Sequence, residues 1–278
     1  MLGLPEISIS TAGLVTPGSI SHTQSSKTTI DLIHSLGAKG ITLDASTPDL
    51  RPRALTRSAR RDLAASLRRR ELAFTGLDLW IPPEHFADPT HTHRAIDALS
   101  QAATLTTELA TLVAGRSQPV LSIVLPEEMN PTDRAAIGAI AQSTGAQIAN
   151  HQPQSSASSE STSESSPEPS EPTPGIDIGI DPVMILLTGN SPGKAITHAS
   201  SQTSSQSSTR LASVRLSDLN SMGRCPVGAP GSKLDLQSYA GALLVAGKEW
   251  ITLDLRALPD PIAATTQAHQ AWSDALSF

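Results

Sequence analysis

Between Gly37 and Ala98 the chain alternates twice between a short β-branched, apolar run and a longer amphipathic one. ITLDA and LAFTGLDLW have the character of strands buried on both faces, as in parallel sheets. Between them, Arg57 to Arg70 sets Ala59, Leu63 and Leu67 on one helical face and Arg57, Arg60, Arg61 and Arg68 on the other. A strand, a crossover helix and a second strand of this size imply a parallel sheet covered by helices. Each strand here ends in acidic or polar residues, and in such folds chemistry gathers where the strands end.

The same pattern extends along the chain. Eight strands are predicted at Pro5–Ser10, Gly40–Ala45, Ala73–Leu79, Val120–Leu125, Ala146–Asn150, Ile176–Ile180, Ser213–Leu216 and Trp250–Leu255. Helices are predicted over Lys27–Leu36, Thr56–Arg70, Thr92–Val113, Pro131–Ser143, Leu234–Ala246 and Ile262–Leu276. In the longest, Ala95, Leu99, Ala102, Thr106, Leu109 and Val113 form one stripe. With 278 residues, the expectation is an α/β (β/α)8 TIM-type barrel spanning 1–278 as one domain. The exception is the fifth unit. Gln154 to Pro174 is almost entirely Ser, Glu, Pro and Thr, which cannot bury enough apolar area to offset chain entropy. The expectation at 153–175 is a disordered low-complexity insertion within the barrel. Ser200–Thr209 is a second Ser-rich tract, read as a solvated loop.

Composition narrows the function classes. Twenty Lys and Arg against 26 Asp and Glu give a net charge of −6, which argues against a general nucleic-acid binder. One cysteine, Cys225, excludes an internal disulfide and suits a reducing, cytoplasmic setting. The first residues lack a secretory pattern, and no apolar run reaches membrane-spanning length.

GAKGITLDA, DLRPRALTRSARRDL, RRRELAFTGLDL and RAIDALSQA resemble the sugar phosphate isomerase/epimerase-like proteins, the xylose isomerase-like TIM barrels. The resemblance covers Pro5 to Ala110 and returns from Ile176 to Leu276. It implies a metal tetrad at the strand ends: Glu, Asp, His and Glu. Two of the carboxylates also act as acid and base in aldose–ketose isomerisation or epimerisation, while the metal stabilises enediolate oxygens. On this chain the first Glu position falls at Asn150 or His151, and Asp181 in GIDPVMILL matches the ligating Asp. Arg215 in SVRLSDL stands at the His position, with Asp218 kept three residues on. Asp254 in EWITLDLR replaces the last Glu. An arginine stays protonated and cannot ligate a metal.

Two readings stay open. In the first, Asp181 and Asp254 act on a small carbohydrate or sugar phosphate with a divalent metal (Mn, Mg, Co or Zn) held by Asp181, Asp254, His151 and Asp218. In the second, a non-catalytic barrel with a degenerate site binds a sugar-like or anionic ligand, or a partner protein, with Arg215 in place of metal charge. Arg51 and Arg53 after the second strand suit a phosphate or carboxylate, or a salt bridge with Asp49 or Asp62. Trp80 could stack on a sugar ring or pack at the barrel rim. His85, Asp88, His91 and His93 crowd the loop after the third strand without zinc-type spacing. Convergence of the four ligands, against Arg215 bridging the aspartates, discriminates the two readings.

Overall fold

The computed structural model describes residues 3–14, 25–114, 118–153, 173–202 and 210–275. Eight parallel strands close into a barrel: β1 (Glu6–Ser10), β2 (Gly40–Asp44), β3 (Ala73–Asp78), β4 (Val120–Ile123), β5 (Gln147–Asn150), β6 (Ile176–Ile180), β7 (Leu211–Leu216) and, after a small hairpin, β10 (Trp250–Leu253). β10 pairs with both β1 and β7, so the sheet has no edge. The hairpin, β8 (Asp218–Asn220) and β9 (Gly223–Cys225), is antiparallel and follows β7 directly. Every predicted strand is present with ends within two residues of expectation. The proposed low-complexity insertion falls mostly on 154–172, outside the described residues.

Helices surround the barrel: α1 (Ser26–Ser35), α2 (Arg57–Arg69), α3 (Glu84–Ala87), α4 (Pro89–Val113), α5 (Pro131–Thr144), α6 (Pro182–Leu187), α7 (Pro192–Gln202), α8 (Leu236–Val245) and α9 (Pro261–Asp274). Their starts are chemically marked. Thr56 caps α2 by accepting from the Ala59 amide, and Asp88 caps α4 by accepting from the Thr90 amide. α2 buries Leu63, Ala64 and Leu67, and the predicted α4 stripe is buried throughout. Part of the Ser-rich stretch from Ser200 belongs to α7 rather than to a loop, because Ile196 and Ala199 anchor that helix in the core.

The apolar core lies outside the barrel. Ile9, Ile41, Leu43, Leu77, Leu121, Ile148, Leu216 and Ile251 point outward and join Leu67, Leu99, Ile137, Tyr239 and Leu243 in one cluster. Inside the barrel the apolar residues reduce to a small separate cluster of Val120, Ala149 and Ala212. The alternate strand positions are instead hydroxylated or charged: Ser8, Ser10, Thr42, Ser122, Arg215 and Asp254 are all buried. TIM barrels generally fill this space with branched aliphatic side chains. This one divides its strands between an apolar shell and a polar lumen.

A close approach positions one luminal group. The His151 ring lies so near Gly179 of β6 that a β-carbon there would sit 2.6 Å from His151 Cδ2. Gly179→Ala is therefore expected to destabilise the fold by roughly 1–3 kcal/mol through overpacking. Urea unfolding should show a lower midpoint with an unchanged slope.

Candidate functional site

The charged residues of the lumen gather at the C-terminal mouth, each delivered by a different strand end. Asp78 ends β3, Asp181 follows β6, Arg215 lies in β7 and Asp254 follows β10. Arg256 stands two residues after Asp254, and the β8–β9 hairpin brings Arg224 over the opening. Three guanidiniums thus face three carboxylates.

Arg215 is the deepest of them, with its side chain 2% exposed. It donates to Asp78 Oδ1 at 2.9 Å and to Asp254 Oδ2 at 3.3 Å. Ser10 Oγ donates to the other Asp78 oxygen at 2.7 Å. Tyr239 of α8 fixes the backbone beneath, donating its hydroxyl to the Arg215 carbonyl at 2.6 Å. Arg224 bridges Asp181 and Asp254, at 2.8 and 3.0 Å. Arg256 grips Asp254 with Nε at 2.8 Å and with a terminal nitrogen on the other oxygen. Asp181 Oδ1 accepts from Ser217 Oγ at 2.8 Å and from the Val183 amide at 3.1 Å, so it also caps α6. The Trp80 ring lies 4.4 Å from the Arg215 guanidinium carbon and 3.4 Å from that of Arg256, both within cation–π range.

The cluster sorts the carboxyls by environment. Burial pushes Asp254 up, but Arg256, Arg215 and Arg224 together hold it far below the ordinary carboxylate range. Burial raises Asp78 more than Arg215 and Ser10 lower it. Burial likewise raises Asp44, at the end of β2, against hydrogen bonds from Ser46 and the charge of Arg256. Burial, with the nearby charges of Arg215 and Arg256, drives His151 well below its usual value, so its imidazole is neutral.

The residues expected to hold a metal meet different fates. Asp181 and Asp254 are brought together, bridged by Arg224 and not by a shared vacancy for a cation. His151 lies in the lumen with Nε2 3.3 Å from Ser122 Oγ. Asp218 organises the loop after the hairpin: its oxygens accept from the amides of Leu219, Gly228, Lys233 and Leu234. Among the described residues, no three His, Cys, Asp or Glu side chains are grouped to hold a metal ion. A divalent cation would need oxygen and nitrogen donors at roughly 2.0–2.6 Å. Here those oxygens already accept from three cations that would repel it. The donor set does not fit a metal.

Of the other candidates, Trp80 is part of the cluster. Arg51 and Arg53 are exposed in the loop after β2, where Arg51 Nε donates to the Ser46 carbonyl at 3.2 Å. His85 and His91 have ring centroids 4.8 Å apart beside Asp88, while His93 is exposed. Cys225 is buried, its thiol pushed up by burial and by Asp218. Asp78, Arg224, Arg256, Ser10 and Ser217 were not singled out in the sequence. One signal for two of them was available. LDLW at 77–80 and LDLR at 253–256 repeat a strand-ending pattern that aims both its second and fourth residues at the mouth.

No protein-family model matches the sequence, and no curated protein matches it either. Solved structures do resemble the fold. A xylose isomerase domain protein from Planctomyces limnophilus is similar with a TM-score of 0.63 at 12% identity, over 98% of this chain and 96% of that one. D-psicose 3-epimerase from Clostridium cellulolyticum H10, solved with D-tagatose, gives 0.61 at 12% identity over 97% and 98%. A xylose isomerase-like TIM barrel protein from Mycobacterium smegmatis, in complex with magnesium, gives 0.59 at 10% identity over 98% of each chain. The chain has the xylose isomerase-like TIM barrel fold. At these identities the likeness carries the fold and not the chemistry grafted on it. Among the described residues, no helix is long and apolar enough to cross a membrane.

Asp254 gives the cluster a pH signature. Its folded-state pKa lies below the unfolded value of about 3.9, so its stabilisation is complete above that value and is lost as the pH falls below it. Asp78 and Asp44 are raised and act oppositely, favouring the fold at low pH and losing that contribution as pH rises through their folded values. Asp254→Asn removes the carboxylate charge shared by three guanidiniums and leaves Arg256 without its main partner, and is expected to cost ~3–5 kcal/mol near neutral pH. Denaturant titrations across pH should show the variant losing less stability than the wild type below about pH 4.

Proposed function

We propose that this barrel is a divergent relative of the sugar phosphate isomerase/epimerase-like proteins that binds a small hydroxylated anion at its C-terminal mouth without a metal centre. The ligand class is a sugar acid or sugar phosphate. The observation that carries this reading is the capture of Asp181 and Asp254 by Arg224, Arg256 and Arg215. A guanidinium has five N–H donors, and each of these directs only two at the carboxylates. Arg224 and Arg256 are partly exposed, at 19% and 28% of their side chains, and so can offer the remainder to a ligand. Two further buried donors, Arg215 Nε and Trp80 Nε1, have no hydrogen-bond partner. Unpaired buried donors are costly, and a phosphate or carboxylate supplies the acceptors they lack. The solved neighbours named for tagatose and epimerase activity support a sugar-like body for the ligand.

Calorimetry separates this reading from metal-assisted isomerisation. Ribose 5-phosphate should bind chelator-treated protein, and Arg224→Met should weaken that binding roughly ten- to hundredfold by removing charge-assisted hydrogen bonds. Manganese should give no heat of binding. Stoichiometric manganese binding that Asp181→Asn abolishes would overturn the proposal and restore the isomerase reading.

A further inference from the structure

The lumen also opens at the opposite end of the barrel. A cavity of about 320 Å3 enters the sheet from the N-terminal face, between the starts of β3, β4, β5, β7 and β10. At ~30 Å3 per water it has room for about ten water molecules. Its deep wall carries the hydroxyls of Thr42, Thr75, Ser122, Ser213 and Thr252. The Trp250 indole lines it too, and lies across Gly40 so closely that a β-carbon there would sit 2.6 Å from Trp250 Cζ3. Gly40 thereby makes room for the aromatic ring.

The hydroxyls of this wall bond to one another. Thr75 donates to the Ile41 carbonyl at 3.0 Å, and its hydroxyl oxygen lies 2.6 Å from that of Ser8 and 2.9 Å from that of Thr42. Ser8 and Thr42 are themselves 3.2 Å apart, and Thr252 joins them across the lumen at 3.3 Å from Thr42. Each hydroxyl has one proton to give and lone pairs to receive. Gln147 adds a side-chain amide, whose nitrogen donates to Asp177 at 3.0 Å, leaving its carbonyl oxygen as an acceptor. Charged residues line the cavity as well. Lys248 donates to the Leu211 and Ala212 carbonyls at 2.9 and 3.1 Å, and Arg210 and Glu249 are exposed at the rim.

The combination of a hydroxyl wall, an amide carbonyl and an aromatic ring offers a ligand hydrogen bonds in both directions beside an apolar face. It matches a molecule with several hydroxyl donors and an apolar C–H face. We infer that this N-terminal cavity is a binding site for a small neutral polyol, separate from the anion site at the mouth.

Xylitol titrated into the full chain, followed by backbone amide NMR, tests this. Amides of Thr42, Ser213 and Thr252 should shift, while those of Arg224 and Arg256 should not. Thr252→Val keeps the volume and removes the hydroxyl, and should weaken binding about tenfold. Ser213→Leu fills the cavity and should abolish binding; if that variant does not fold, Thr252→Val alone decides. Shifts confined to the mouth, no shifts at all (a cavity that holds water only), or unchanged affinity in Thr252→Val would each overturn the inference.

Discussion

The buried pair of Arg215 with Asp78 and Asp254 is the interaction on which the rest of the mouth depends. A guanidinium taken from water into a barrel lumen is strongly disfavoured unless its charge is matched and its protons accepted. Arg215 has its charge matched by carboxylates delivered by two different strands, β3 and β10, with Ser10 and Tyr239 holding the arrangement from β1 and α8, while its Nε is left without an acceptor. Asp254 then carries more than one partner, which places Arg224 and Arg256 where they are. Removing Arg215 would leave the buried Asp78 carboxyl with the Ser10 hydroxyl but without its guanidinium. Removing either carboxylate would leave the guanidinium with one buried partner instead of two. The three arginines and three aspartates are therefore one electrostatic unit rather than a set of separate salt bridges.

That unit is the ground for the proposal that this chain keeps the fold of its solved neighbours but not a metal centre. The strand ends still deliver acidic residues at Asp181 and Asp254, where a metal reading of the sequence places them. Arg215 supplies a fixed positive charge in the same space, and the hairpin and the end of β10 add two more. Fixed guanidiniums can recognise oxyanions by geometry, but they cannot act as a Lewis acid with open coordination positions.

The architecture was legible in the sequence because hydrophobic periodicity reports burial locally. ITLDA, LAFTGLDL and the α4 stripe announce their faces without help from distant residues. The fine edges were less legible: β7 begins at Leu211, two residues before the expected start, because sheet pairing with β6 and not side-chain pattern sets that boundary. The site was legible only in part. Asp181, Asp254 and Arg215 stand at strand ends that can be counted along the chain. Arg224 is different. It reaches the mouth only because residues 218–225 fold back as a hairpin, and three-residue strands leave little periodic trace. Asp78 sits in plain view in GLDLW, yet nothing in its neighbourhood says that its partner lies 137 residues away. Likewise, the hydroxylated lumen is written in Ser8, Thr42, Ser122, Ser213 and Thr252, residues that individually read as ordinary strand positions.

The division of each strand between an apolar outer row and a polar inner row has a consequence for how such a chain can change over time. In a barrel with an aliphatic lumen, altering an inward residue disturbs packing that the fold relies on. Here Ile41 and Thr42, or Ile251 and Thr252, are chain neighbours that face different surroundings and answer to different constraints. Substitutions of the inner row can retune what the lumen and the mouth accept while the outer row keeps its grip on the helices. Such a scaffold can drift from one ligand chemistry to another while keeping its shape.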